Sequence, residues 1–375
     1  MKRTAALFLL LILLASLPGC GKIAPEGGLG GLKPVSKTEL SYAHEFSIEH
    51  YEGGYDLITV NDGGRFLTVP EGKEPPRGLA DDIDVLQKPI KNVYLAATAV
   101  MCLFDGLDRL DAIRLSGTKA EGWYIENARL AMERGSILYA GKYSQPDYEL
   151  ILAEGCPLAI ESGMISHASD VMAKLKELGL SVLVDRSSYE THPLGRTEWI
   201  KLYGALLDEE ERADALFHEQ EELLKAASRS RPSNKTVAFF RISPSGYAVA
   251  RKTGDYVCRM IELAGGEYAF HDLFGDGGAT ATVNVEMETF FASARGADVV
   301  IYNSTIGGEV ETLDDFLALH PLLKELKAVQ TGSVWCTRES MYQQTLNIGK
   351  MTEELSRVFN CGEEEPELEY FFRLK

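Results

Sequence analysis

Two runs of short apolar segments, each alternating with helical stretches and parted by one long amphipathic segment, leave this chain few architectures. In the first run, Val93–Ala97, Ala112–Leu115, Ser136–Tyr139, Leu158–Ile160 and Val182–Val184 have the length and continuous apolarity of strands buried on both faces. The segments between them, such as Ser169–Leu178, carry helical spacing. The second run starts at Thr236, with strands expected at Val237–Phe240, Tyr247–Ala250 and Val299–Tyr302 and helices at Tyr256–Ala264 and Glu288–Ala294. Val334–Cys336 is expected to close that sheet, and Leu346–Phe359 to end the chain as a helix. This pattern implies an α/β fold of two Rossmann-like lobes with mostly parallel sheets.

Asp208–Ser228 lies between the two runs. Asp208 is placed to cap a helix and Glu211, three residues on, to complete a capping box. Ala213, Leu216, Phe217, Leu223 and Leu224 form a narrow apolar stripe on it. About 20 helical residues span roughly 30 Å, enough to join two lobes without a flexible hinge. The expected division is an N-terminal lobe over 41–207, an interlobe helix over 208–228 and a C-terminal lobe over 229–375, with Arg229–Asn234 at the boundary. Ahead of the first run, residues 46–70 alternate apolar and polar around Glu52-Gly53-Gly54 and Asn61-Asp62-Gly63-Gly64. They read as a strand meander whose clearest arms are Tyr55–Val60 and Arg65–Val69.

The start of the chain indicates where the protein works. Lys2 and Arg3 precede an apolar run from Ala5 to Ala15, too short to span a bilayer, and the run meets Leu17-Pro18-Gly19-Cys20. This resembles the lipobox of bacterial lipoproteins, which implies a signal peptide over 1–19, lipidation of Cys20, and a Gly-rich tether over 20–40. An ordinary cleaved signal followed by an unrelated cysteine is the alternative. The formal net charge of −18 argues against nucleic acid or anionic lipid as a partner. The other cysteines, at 102, 156, 258, 336 and 361, are odd in number and lack CxxC spacing, so no disulfide follows from them.

The two runs echo one another. Asp147-Tyr148-Glu149 opens a helix leading to a strand that ends Glu161-Ser162, and Glu286-Met287-Glu288 opens one leading to a strand that ends Asn303-Ser304. Two such lobes leave a cleft between their strand ends, the default ligand site of open α/β sheets. Catalytic signatures are missing: there is no GxxxxGK[ST], GxSxG or HExxH, and the seven histidines are scattered without metal-ligand spacing. The chain therefore reads as a non-enzyme without a resident cofactor or metal.

Gly141-Lys142-Tyr143-Ser144-Gln145-Pro146-Asp147-Tyr148-Glu149 resembles the opening of the main N-lobe helix in ABC-transporter substrate-binding proteins. The class concerned takes up iron–siderophore complexes, haem and cobalamin. Gly179–Val182, the segment 192–204, Ala264-Gly265-Gly266 and Ala328–Trp335 are similar to further motifs of that class, in the same order. The resemblance implies a monomeric, extracytoplasmic binding protein that is lipid-anchored to a bacterial membrane and delivers a small chelate to an ABC permease dimer with its cytoplasmic ATPase. A ferric siderophore is the leading cargo, with a corrinoid or haem as alternatives; a surface lipoprotein enzyme or structural domain on the same fold is an alternative of another class. It also implies that Glu149 and Glu288, one per lobe, pair with permease arginines, with Glu286, two residues before Glu288, as the alternative in the second lobe. Unlike the metal-ion branch of the superfamily, the strand ends carry Thr98, Glu161, Arg186, Tyr302 and Asn303 rather than several histidines. Trp123, Tyr124, Tyr143, Tyr189, Arg241, Tyr247, Arg338 and Tyr342 lie near expected loop ends. Their rings offer flat apolar walls for a bulky chelate, and the arginines offer partners for carboxylate or phosphate.

Overall fold

The computed structural model describes residues 28–229, 233–273, 282–306, 308, 310–362 and 366–375. Cys20, the expected signal peptide, tether residues 20–27 and boundary residues 230–232 lie outside them.

Ahead of the lobes stands a five-stranded sheet in sequential order, β1 (Pro34–Lys37), β2 (Phe46–Tyr51), β3 (Tyr55–Val60), β4 (Gly64–Val69) and β5 (Ile83–Gln87). It is antiparallel except for the β4–β5 pair. Gly53, Gly54, Asp62 and Gly64 take positive φ at the two turns, which explains the residue types there. Both faces of this sheet carry buried apolar side chains. Phe46, Ile48, Ile58, Val60 and Phe66 join the core of the N-terminal lobe. Tyr51, Leu57, Leu67 and Ile83 are covered by Leu29, Leu32, Leu79 and Ala80.

The N-terminal lobe is built on β6 (Val93–Leu95), β7 (Ile113–Ser116), β8 (Leu138–Tyr139), β9 (Leu158–Ser162) and β10 (Ser181–Asp185). These strands are parallel, in the order β10-β9-β6-β7-β8. Side chains alternate between two cores. Val93, Leu95, Leu158, Ile160 and Leu183 face one, while Tyr94, Ala159 and Val182 face the other. Helices α1 (Met101–Gly106), α2 (Glu126–Glu133), α3 (Tyr148–Ala153), α4 (Ser169–Glu177), α5 (Pro193–Glu198) and α6 (Ile200–Leu207) complete the lobe.

The joining helix α7 spans Glu210–Arg229, two residues later than expected at its start. Asp208 does not cap it. The residue instead ends α6 in the left-handed conformation at φ 59°, which aspartate tolerates, and binds Lys88.

The C-terminal sheet runs β14 (Thr282–Val285), β12 (Ala248–Arg251), β11 (Lys235–Ile242), β15 (Val299–Tyr302), β16 (Val334–Thr337) and β17 (Phe371–Arg373), with β13 (Gly266–Tyr268) paired to the start of β11. Its helices are α8 (Tyr256–Leu263), α9 (Met287–Ala294), α10 (Leu313–Ala318), α11 (Lys327–Gln330) and α12 (Ile348–Asn360). This sheet is mixed. The link from β11 to β12 is too short for a crossover, so those strands form an antiparallel hairpin. Two expectations fail at the other edge: β16 does not close the sheet, and α12 does not end the chain. After α12 the chain returns, held by the buried Glu354 carboxylate, which accepts the N–H groups of Glu369 and Tyr370 at 3.0 and 2.9 Å. The segment then adds β17 antiparallel to β16.

Helix α12 packs along α7. At Gly349 a Cβ would lie 2.1 Å from the Gln220 carbonyl oxygen, and the N–H of Lys350 donates to Gln220 Oε1 at 3.1 Å. Side chains of α7 meanwhile enter the N-lobe core at Ala213, Phe217 and Leu224. The helix is gripped from both sides.

Candidate ligand cleft

Strand order places the site. In the N-terminal lobe the chain moves outward from β6 in opposite directions, so the loops after β6 and β9 diverge. In the C-terminal lobe the corresponding loops follow β11 and β15. Such points open a crevice beyond the carboxyl ends of the strands. Large exposed apolar side chains concentrate there: Tyr124 (44% exposed), Tyr139, Met164, Tyr189, Ile306 (60% exposed) and Tyr342 all lie at or beyond the carboxyl end of a parallel strand. Exposed rings and aliphatic groups gathered at strand ends are the kind of surface that ligands cover.

The candidate residues divide by burial. Tyr124, Tyr189, Arg338 and Tyr342 are exposed, and Thr98, Tyr143, Arg186, Arg241 and Tyr247 are half-buried. Trp123, Glu161, Tyr302 and Asn303 are buried. Trp123 belongs to the N-lobe core and donates its indole N–H to Ser116 Oγ at 3.2 Å. Tyr302 packs edge-on against Phe240 and Phe316, and burial raises the pKa of its hydroxyl. Asn303 Oδ1 accepts from both the N–H and the hydroxyl of Thr305, which shapes the loop after β15.

The cationic groups are used differently from one another. The Arg186 guanidinium stacks on Tyr189 at 4.1 Å and binds Glu45 at 2.7 Å. That of Arg338 stacks on Phe372 at 4.0 Å. Arg241, at the end of β11, makes no ion pair with a described residue. Glu161 is fully buried at the end of β9, and neither carboxylate oxygen has a hydrogen-bond partner among the described residues. Burial pushes its pKa up to about 8, so it is neutral at pH 7.

Glu149 and Glu288 occupy matching places, each exposed in the first turn of α3 or α9. Asp147 caps α3 by accepting the N–H of Leu150 at 3.0 Å, so Glu149 is not the cap.

Sequence reasoning missed Gln343, Glu339, Met164 and Ile306. The last two stand just beyond strand ends, where an apolar residue in a loop is a usable signal. No spacing marks Gln343.

Two α/β lobes joined by a gripped helix are the architecture of a two-lobed binding protein. The chain belongs to the periplasmic binding protein family, whose sequence profile matches residues 133–341. It is 24% identical over 338 residues to an uncharacterised lipoprotein of Methanocaldococcus jannaschii, an alignment covering 83% of this chain and 80% of the relative. In fold it is similar to the periplasmic haem-binding protein of Vibrio cholerae, with a TM-score of 0.58 at 16% identity over 71% of this chain and 98% of that one. The petrobactin-binding protein of Bacillus subtilis gives 0.58 at 13% identity over 72% and 93%.

Proposed function

We propose that this protein is the extracytoplasmic, lipid-anchored binding component of an ABC importer and that its cleft captures a metal chelate, a ferric siderophore first of all. The observation that carries this reading is the gathering of exposed rings and aliphatic side chains at the strand ends of both lobes. Bulky chelates, corrinoids and haem present flat apolar faces that such walls stack against. Arg241 supplies a cation for a carboxylate or phosphate on the ligand. The names of the structural neighbours, one haem-binding and one petrobactin-binding, support the same class, with haem or cobalamin as the alternative cargo. Cys20 carries the lipid, and Glu149 and Glu288 meet the two permease subunits.

Intrinsic fluorescence titrated with ferric siderophores, haemin and cobalamin tests the reading. Saturable quenching by one group is the expected result; a folded protein that binds none of them refutes it.

A further inference from the structure

Residues 339–347 connect β16 to α12, both in the C-terminal lobe; Met341 stays in that lobe's core, yet Gln343, Thr345 and Leu346 are held by the N-terminal one. Leu346 is a member of the N-lobe core. Its N–H points at Cys102 Sγ at 3.5 Å, and it fills the space beside Gly106, where a Cβ would lie 2.5 Å from Leu346 Cδ2. The Thr345 carbonyl accepts the hydroxyl of Thr197 at 3.0 Å. Gln343 is fully buried and uses both ends of one amide. Its Oε1 accepts the N–H of Tyr124 at 2.9 Å, and its Nε2 donates to the Gly122 carbonyl at 2.7 Å. At the rim the Tyr124 hydroxyl donates to Glu339, and the Tyr124 and Tyr342 rings meet edge to face at 6.3 Å.

We propose that this tongue fixes the width of the cleft before any ligand arrives, with Gln343 as the positioning residue. The lobes cannot part along this rim without leaving Tyr124 N–H and Gly122 C=O unpaired, together with both ends of a buried amide. Helix α7 restrains the lobes along one line, and the tongue adds a second restraint displaced toward the rim. A cleft held at two places has a set width, so Gln343 governs the size of ligand admitted. Small chelates enter with the clasp intact, and bulkier ones must break it. The size limit rests on the ligand-cleft reading above; the set width does not.

Spin labels at Arg134→Cys and Lys324→Cys, both exposed and on opposite lobes, report the width by dipolar spectroscopy. The background carries Cys361→Ser, since the other described cysteines are buried. In ligand-free wild type a narrow distance distribution is expected. Gln343→Ala and Gln343→Glu should broaden it and move it outward, and Tyr124→Phe, which removes the rim hydroxyl and keeps the ring, should do so less. Gln343→Ala should also change the ratio of haemin to ferric trihydroxamate affinity by about tenfold, the scale of one lost buried hydrogen bond. Unchanged distances in a cooperatively melting Gln343→Ala protein would overturn the proposal. Should that variant not fold, unchanged distances in Tyr124→Phe would overturn it equally. Widened distances with no chelate bound by any variant would support the set width and sink the chelate reading. Chelate binding with unchanged distances would sink the tongue's role alone.

Discussion

Lys88 Nζ lies 3.2 Å from a carboxylate oxygen of Asp56, and both side chains are buried between the N-terminal sheet and the first lobe. Burial opposes the lysine's charge, but the 2.7 Å bond to Asp208 and the field of Asp56 still raise its pKa above the ordinary value. Asp56 in turn binds His50 at 2.7 Å and the hydroxyl of Thr68 at 3.2 Å. Removing the cation strands a buried carboxylate. Lys88→Met is expected to cost about 3–5 kcal/mol in urea unfolding. Asp208→Asn should cost under about 1 kcal/mol, because that side chain is 62% exposed. Equal losses for the two variants would show that the pair is not the stabilising contact.

Glu161 predicts a pH dependence. Its pKa rises from 4.5 to about 8 through burial, so over that interval the folded protein holds a proton that the unfolded chain releases. The unfolded state then binds fewer protons, and stability falls as pH rises from about 4.5 toward 8. Glu161→Met removes both the titration and the unpaired oxygens. It should raise stability at pH 7 by roughly 2–3 kcal/mol and flatten the slope over that range. Parallel stability–pH curves for variant and wild type would contradict the assignment.

Charge reversal at Glu149 and Glu288 together, both exposed in the first turns of α3 and α9, is expected to leave chelate affinity within about twofold and to abolish uptake. Normal uptake by a stably folded double mutant would refute the docking role.

Because α7 is gripped by α12 and by the N-lobe core, ligand binding should produce a small tilt and loop ordering rather than closure. Solution scattering with and without saturating chelate reads this directly. A large fall in radius of gyration would be incompatible with it.

Much of this fold is legible in the residues, for identifiable reasons. Strands buried on both faces announce themselves by unbroken apolarity, and Val299–Tyr302 begins and ends where expected. Strand β17 escapes because it is three residues long and is held by Glu354, a carboxylate on a helix that says nothing in sequence about what it will accept. Asp208 misleads because the short side chain that suits an N-cap also suits the left-handed end of the preceding helix. At the cleft, loop position identifies a neighbourhood but not the direction of a side chain. Trp123 turns into the core while its neighbour Tyr124 stays at the rim. Gln343 is invisible beforehand, since its value lies in two backbone groups more than two hundred positions away.

The seat of Leu346 in the N-terminal core bears on how the protein is made. Residues 34–338 contain both the N-terminal sheet and the sheet β6–β10, yet leave a hole beside Gly106 and Cys102 that only the last part of the chain can fill. The first lobe therefore matures late, and a chain still lacking its last part would present an incomplete hydrophobic surface. Pulse-labelled hydrogen exchange during refolding should find α1 protected together with α12, not ahead of it.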